Sequence, residues 1–100
     1  MQTVALKLVT IVAEPVLEER LVEALHRLGA RGHTVAEVHG AGSRGMRASD
    51  PPGQGVRIEA IVSDAVAGRI LDHVAEHYFP HYAVIAFVAD VHVVRGEKYV

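Results

Sequence analysis

The chain has 100 residues, half of them hydrophobic, and 10 Lys and Arg against 12 Asp and Glu give a net charge of −2. That is the size of a single domain, read as residues 1–100, and the near-neutral balance argues against a nucleic-acid partner. There is no cysteine, which excludes disulfides, thiolate catalysis and cysteine-ligated zinc and fits a cytoplasmic address.

The first apolar run, MQTVALKLVTIVAEP, has no basic segment ahead of it and is interrupted by Lys7 and Glu14. Neither a signal peptide nor membrane insertion is expected. Within it, Val4 to Val12 has the β-branched and aliphatic composition of a buried strand. Glu14-Pro15 then opens a helix, because proline's missing N–H costs nothing in the first turn. Leu17, Leu21, Ala24, Leu25 and Leu28 recur at helical spacing, and Gly29 is placed to end the helix. The stretch HTVAEVH, residues 33–39, alternates as a second strand, and a Gly/Pro-rich interval follows from Gly40 to Gly55.

The second half repeats this order without repeating residues. Val56, Ile58 and Ala60 alternate with Arg57 and Glu59 in a strand running to Val62. Ser63 or Asp64 can cap a helix whose apolar stripe is Val66, Ile70, Leu71, Val74 and Tyr78. FPHY, residues 79–82, stops that helix, and Ala83 to Val94 reads as a long last strand. The predicted fold is α+β, a ferredoxin-like βαββαβ sandwich with both helices on one face of one sheet.

The connection between the second and third strands spans about 16 residues, where hairpin loops take about 2–5. It opens on GAGSRGMR, residues 40–47. Its glycines allow close backbone approach to a ligand and can aim successive N–H groups at an anion. Arg44 and Arg47 each offer a planar fork that fits phosphate, carboxylate or bicarbonate. From the residues alone the segment reads as a solvated polar loop or as an anion cradle. Met46 adds an adaptable apolar contact for a partner. The run SDPPGQG is turn chemistry: the prolines force extended geometry and Gly53 and Gly55 relieve it.

The segment LVEALHRLGARGHTVAEVHGAGSRG resembles the helix, the G-x-T-V-x-E-V strand and the G-x-G loop start of the PII-type signalling proteins. The resemblance runs from about Val4 to Glu97, and GAGSRGMR with its short loop is similar to the carboxysome-associated PII and SbtB-like group. It implies a homotrimer with nucleotide sites in clefts between subunits and a T-loop, here about residues 40–55, that signals by changing conformation. On that resemblance Gly40, Gly42, Ser43, Arg44 and Arg47 lie at the T-loop base beside the phosphates. Gly32 and Thr34 approach the adenine, Ile61 offers its backbone near the base, and Arg95 supplies a basic contact from the C-terminal segment. The expected ligand is an adenine nucleotide, together with bicarbonate. A bicarbonate transporter or a carboxysome-associated protein is the implied partner.

Three departures from the family pattern refine this. Residues 40–55 contain no tyrosine, so uridylylation there is excluded. The Gly-Asp-Gly-Lys loop of nitrogen-regulating relatives is replaced by HYFPHYA, with neither glycine nor lysine, which favours ADP or AMP over ATP. The cysteine-bearing extension of the SbtB group has no counterpart, so no redox-switched loop is expected.

Seven histidines, at 26, 33, 39, 73, 77, 81 and 92, raise a metal hypothesis. His73 and His77 share a helix face, with Glu76 as the one neighbouring acid, but the helix ends at once and no metal site is expected. His39, next to Gly40, is placed to make anion binding pH-sensitive. Arg57 and Glu59 are expected to form cross-strand ion pairs, with Glu37 on the adjacent strand. No catalytic set stands out, so no enzyme is expected.

Among rivals on this fold, an RNA-recognition module needs stacking aromatics that VRIEAIV lacks. An acylphosphatase needs an arginine loop after the first strand, where VAEPV stands. An ACT-type sensor leaves the long loop unexplained. A CutA-type trimeric metal-binding protein using surface histidines is the retained alternative.

Overall fold

The computed structural model describes residues 1–41 and 53–100. The chain runs β1 (Val4–Ala13), a 3-10 turn (Pro15–Leu17), α1 (Glu18–Arg27), β2 (Thr34–His39), β3 (Gln54–Val62), α2 (Asp64–His77), β4 (Ile85–Val93) and a second 3-10 turn (Gly96–Lys98). The sheet has the order β2-β3-β1-β4, antiparallel at every pairing. This is the expected ferredoxin-like arrangement, with β1 and β3 paired at the centre.

Period-two alternation divides the sheet into two faces. Val9 and Ile11 of β1 stand opposite Ala60 and Ile58 of β3, and all four are buried with Leu17, Leu21 and Leu25 of the first helical segment and Ile70 and Val74 of α2. Burying one such aliphatic side chain contributes about 1.5–3 kcal/mol. The other face carries Leu8, Thr10 and Val12 of β1, whose partners on β4 are Ala89, Phe87 and Ile85. No helix covers it: Phe87 remains 50% exposed and Ile85 57%. At the β1–β4 seam the Lys7 ammonium donates to the Asp90 carboxylate, an exposed pair of the kind that adds little stability.

The helix ends follow local chemistry. Pro15 starts a 3-10 turn rather than the α-helix itself, which begins three residues later than expected at Glu18. Gly29, at φ +126°, ends α1; there the Ala30 N–H donates to the Leu25 carbonyl at 2.9 Å. A side chain at residue 29 would be strained by that φ and would meet Val66 Cγ2 at 2.9 Å. Ser63, not Asp64, caps α2: its Oγ accepts from the Val66 N–H at 3.3 Å. On α2 the fully buried positions include Ala67, while Val66 and Leu71 are only partly buried. β4 is shorter than expected at both ends, because the Val84 N–H bonds back to the Tyr82 carbonyl and Arg95 turns into the left-handed region at φ 63°.

Candidate functional site

β1 and β2 finish, and β3 begins, at one end of the sheet. The register His39↔Gln54 carries β2–β3 pairing two residues further than expected, so β3 already includes Gln54 and Gly55. Beyond it the Gly40 N–H donates to the Gly53 carbonyl at 2.8 Å, with Gly53 at φ +80°. Glycine is the residue that takes this left-handed geometry without strain. The two stems of the long connection are thus clipped together, and residues 42–52 between them lie outside the described part of the chain.

Against these stems opens a cleft of about 690 Å³. Val12, Ala13, Val38 and Gly55 form its sheet side. Ile85 of β4, beside Val12, extends that sheet side, and the α2–β4 connection adds Phe79, Tyr82 and Val84. That connection is compact and glycine-free: the Phe79 N–H donates to the Val74 carbonyl at 3.1 Å and the Tyr82 N–H to the Tyr78 carbonyl at 2.9 Å, with the Tyr78 and Tyr82 rings 6.0 Å apart. It presents aromatic and aliphatic surface where a glycine-rich loop would present N–H groups.

The polar groups of the cleft are few. Arg57 is the one arginine or lysine among the described residues that line it, joined by His39, Gln54 and the buried Glu14. Arg57 stands between Val12 and Ala36 in the sheet register. Its Nε lies 3.8 Å from Oε2 of Glu59, two residues along its own strand. The expected cross-strand ion pair is therefore corrected to an along-strand one. Ala36 and Thr34 stand opposite Arg57 and Glu59, and Glu37 stands opposite Val56, on the other face.

Of the residues expected to hold a nucleotide, Gly40 lines this cleft. Gly42, Ser43, Arg44 and Arg47, with Met46, lie outside the described residues. Gly32 and Thr34 lie at the start of β2 and Ile61 near mid-sheet, while Arg95 lies beyond the far end of β1. Thr34 opens β2 opposite Glu59, Ile61 pairs with Leu8, and Arg95 follows the β4 segment whose Val93 pairs with Val4. At roughly 3.3 Å per residue, Thr34 and Gly40 are on the order of 20 Å apart along β2. One chain does not bring Gly40, Thr34 and Arg95 together. Gly32 is open, since a Cβ there would meet nothing within 4 Å, and Thr34 and Arg95 are exposed. Sequence alone does not mark Arg57 or the aromatic wall as cleft residues. Alternation could have put Arg57 on the helix-free face, whereas FPHY carries only a stop signal.

Among the described residues no group of three or more His, Asp or Glu side chains is arranged to hold a metal. The His73 and His77 rings pack 4.5 Å apart. His26 Nδ1 lies 2.9 Å from the Ala30 carbonyl, to which it donates, and its Nε2 lies 2.8 Å from His33 Nδ1. No helix among the described residues is long and apolar enough to cross a membrane.

Residues 6–98 match the family model described as nitrogen regulatory protein P-II. Among solved structures, a chain from Thermus thermophilus assigned as a PII-like signaling protein is 62% identical, with 100% of each chain covered and a TM-score of 0.87. CPII from Thiomonas intermedia bound to ADP and bicarbonate is 27% identical over 98% of this chain and 97% of that one, with a TM-score of 0.85. The same protein bound to ADP, AMP and bicarbonate is 25% identical over 98% and 96%, with a TM-score of 0.83.

Proposed function

This chain belongs to the nitrogen regulatory protein P-II family, and we propose that, as a PII-like signalling protein of one domain, it senses ADP or AMP together with bicarbonate in clefts between the subunits of a homotrimer. The observation that carries this reading is the separation of the expected ligand residues. Gly40 stands at one end of the sheet, Gly32, Thr34 and Ile61 stand part-way along it, and Arg95 lies beyond the other end. A subunit laid against the helix-free face brings its far end to its neighbour's cleft, which completes a site that a single chain leaves in halves. The exposed Phe87 and Ile85 on that face support the same assembly, since burial of such surface drives association.

The chemistry of the cleft supports a nucleotide of low charge. Its α2–β4 side is apolar, and among its described residues Arg57 is the one arginine or lysine, with buried Glu14 close by. A triphosphate finds few donors there, while Gly42, Ser43, Arg44 and Arg47 add N–H groups and two guanidinium forks for one or two phosphates. The bicarbonate component rests on those guanidiniums and on the CPII relatives bound to ADP and bicarbonate. In this reading the T-loop presents the bound state to a bicarbonate transporter or a carboxysome-linked protein in the cytoplasm. The protein acts by binding rather than by catalysis.

Titration calorimetry with AMP, ADP, ATP and cyclic AMP, each with and without bicarbonate and free of metal, tests the reading. Micromolar ADP or AMP binding that tightens with bicarbonate is the expected result. Binding indifferent to bicarbonate removes the carbon signal. No nucleotide binding, with tight copper or zinc uptake, overturns the reading in favour of a CutA-type metal binder. Arg44→Ala and Arg47→Ala should each weaken nucleotide binding, a charge-assisted hydrogen bond being worth about 1.5–3 kcal/mol. Unchanged affinity in both removes the loop from the phosphate site.

A further inference from the structure

The two helices pack antiparallel: Arg20 near the start of α1 reaches Tyr78 at the end of α2, and the Leu28 carbonyl after α1 accepts from Arg69 Nε at 3.2 Å. Between them, on the face of the molecule remote from the sheet, lies a groove of about 300 Å³. Arg20, Glu23 and Arg27 of α1 line it, three and four residues apart and therefore on one helix stripe. Ala24, buried at 4%, is a small floor that keeps the groove open. His73 and His77, one turn apart on α2, form the opposite bank.

We infer that this groove is a second ligand site, which takes a compact oxyanion of the sulfate, phosphate or bicarbonate class between the Arg20 and Arg27 guanidiniums and the His73–His77 pair. The Arg20 end is organised before any ligand arrives. Nη1 of Arg20 donates to the Tyr82 hydroxyl at 3.3 Å, and its guanidinium carbon sits 5.5 Å from the Tyr78 ring centroid and 5.9 Å from that of Tyr82. A guanidinium held by one hydrogen bond and two aromatic faces has donors left for an oxyanion and loses little freedom on binding it. The N-terminal end of α1 and the carbonyl end of α2 meet there, so the helix dipoles oppose one another and side-chain charge decides the local field.

That charge depends on the histidines. Glu23 from α1 is the one acidic lining residue set against the two arginines, and Glu76, outside the lining, has Oε2 3.9 Å from His77 Nε2. With both imidazoles neutral the lining carries one net positive charge, Arg20 and Arg27 against Glu23, and each proton added raises it. His73 is held below the ordinary histidine range by burial first, then by the neighbouring His77 and Arg27, with Glu76 opposing. A bound dianion reverses the cationic repulsion, so anion binding and proton uptake at His73 favour each other. The groove lies on the opposite side of the sheet from the face proposed for trimer contacts, so it stays open in the assembled protein. It shares no lining residue with the nucleotide cleft.

The test is histidine-ring NMR across pH 5–8 in the full chain, with sulfate as the probe because it stays dianionic throughout, against chloride at equal ionic strength. The inference expects saturable shifts confined to His73 and His77, a rise in the His73 midpoint with sulfate, and binding that tightens as pH falls. Arg27→Gln, an exposed position, should weaken the response by about tenfold, as loss of one charge-assisted hydrogen bond predicts. Saturating ADP, which reaches Tyr82 in the cleft, should leave the His73 and His77 shifts present and change only the sulfate affinity, through Arg20. No sulfate effect beyond that of chloride, an unaltered response in Arg27→Gln, or a response abolished by ADP would overturn the assignment; the last would move the anion to the nucleotide cleft.

Discussion

Gly96 lies directly against Val4: a Cβ on residue 96 would stand 2.6 Å from the Val4 Cβ and 2.7 Å from its Cγ2. The contact ties the final turn to the first residue of β1 and positions the backbone just after Arg95, which is held at φ 63°. Gly96→Ala should therefore destabilise the protein by about 1–3 kcal/mol, the usual consequence of overpacking. Chemical denaturation measures the loss, and calorimetry on the variant tests whether nucleotide affinity drops with it, as the proposed Arg95 contact expects. Wild-type stability would show that the tail moves aside without cost.

The cap of α2 gives a second, purely structural prediction. Ser63→Ala removes the acceptor 3.3 Å from the Val66 N–H and should lower stability by about 1 kcal/mol. Ser63→Asp should restore most of that loss, whereas Asp64→Ala should not reproduce it. Urea unfolding midpoints at constant slope compare all three.

Phe87→Asp tests the proposed trimer. Phe87 is half-exposed on the helix-free face, opposite Thr10, so the change should scarcely affect the folded monomer. A buried carboxylate without a partner is costly in an interface, and sedimentation should show a shift from trimer to monomer with loss of nucleotide binding. A monomeric variant that still binds ADP would contradict a site shared between subunits.

The pH dependence follows from His73. Its folded-state pKa is depressed below the ordinary value of 6.5, so below that value the unfolded chain takes up the proton more readily than the folded one. Stability contributed by the neutral imidazole is complete above about pH 6.5 and declines as pH falls toward the folded value. Thermal melts from pH 7.5 to 5 should show a downward slope that His73→Gln flattens. An identical slope in the variant would assign the effect to another histidine.

Much of the fold is legible in the sequence. Leu17, Leu21, Ala24, Leu25 and Leu28 mark the first helix face, and alternation at Val56, Ile58 and Ala60 marks the buried side of β3. Expectation and structure part at boundaries set by hydrogen bonds rather than composition. Pro15 reads as the start of an α-helix but begins a 3-10 turn, and Gln54 and Gly55 read as loop but pair into β3. The Arg57–Glu59 interaction runs along one strand, because the register sets uncharged Ala36 and Thr34 opposite them. The loop base at Gly40 is readable from its glycines, whereas the aromatic wall of the same cleft is not, because Phe79 and Tyr82 reach it only after α2 folds back toward β4.

Local periodicity, which depends on neighbours within a few residues, determined the elements, their order and the faces they bury. The groove between α1 and α2 required the tertiary structure: two turns of α1 and one turn of α2 each carry ordinary charges, and only antiparallel packing sets Arg20 and Arg27 across from His73 and His77. The same holds for the two ends of the sheet. Gly40 and Thr34 are close in sequence, yet an extended strand drives them apart, and pairing β1 with β3 and β4 sets Ile61 beside Leu8 and leaves Arg95 beyond Val4, far from both. Those groupings depend on strand register and helix packing between residues far apart in sequence, which no local pattern encodes.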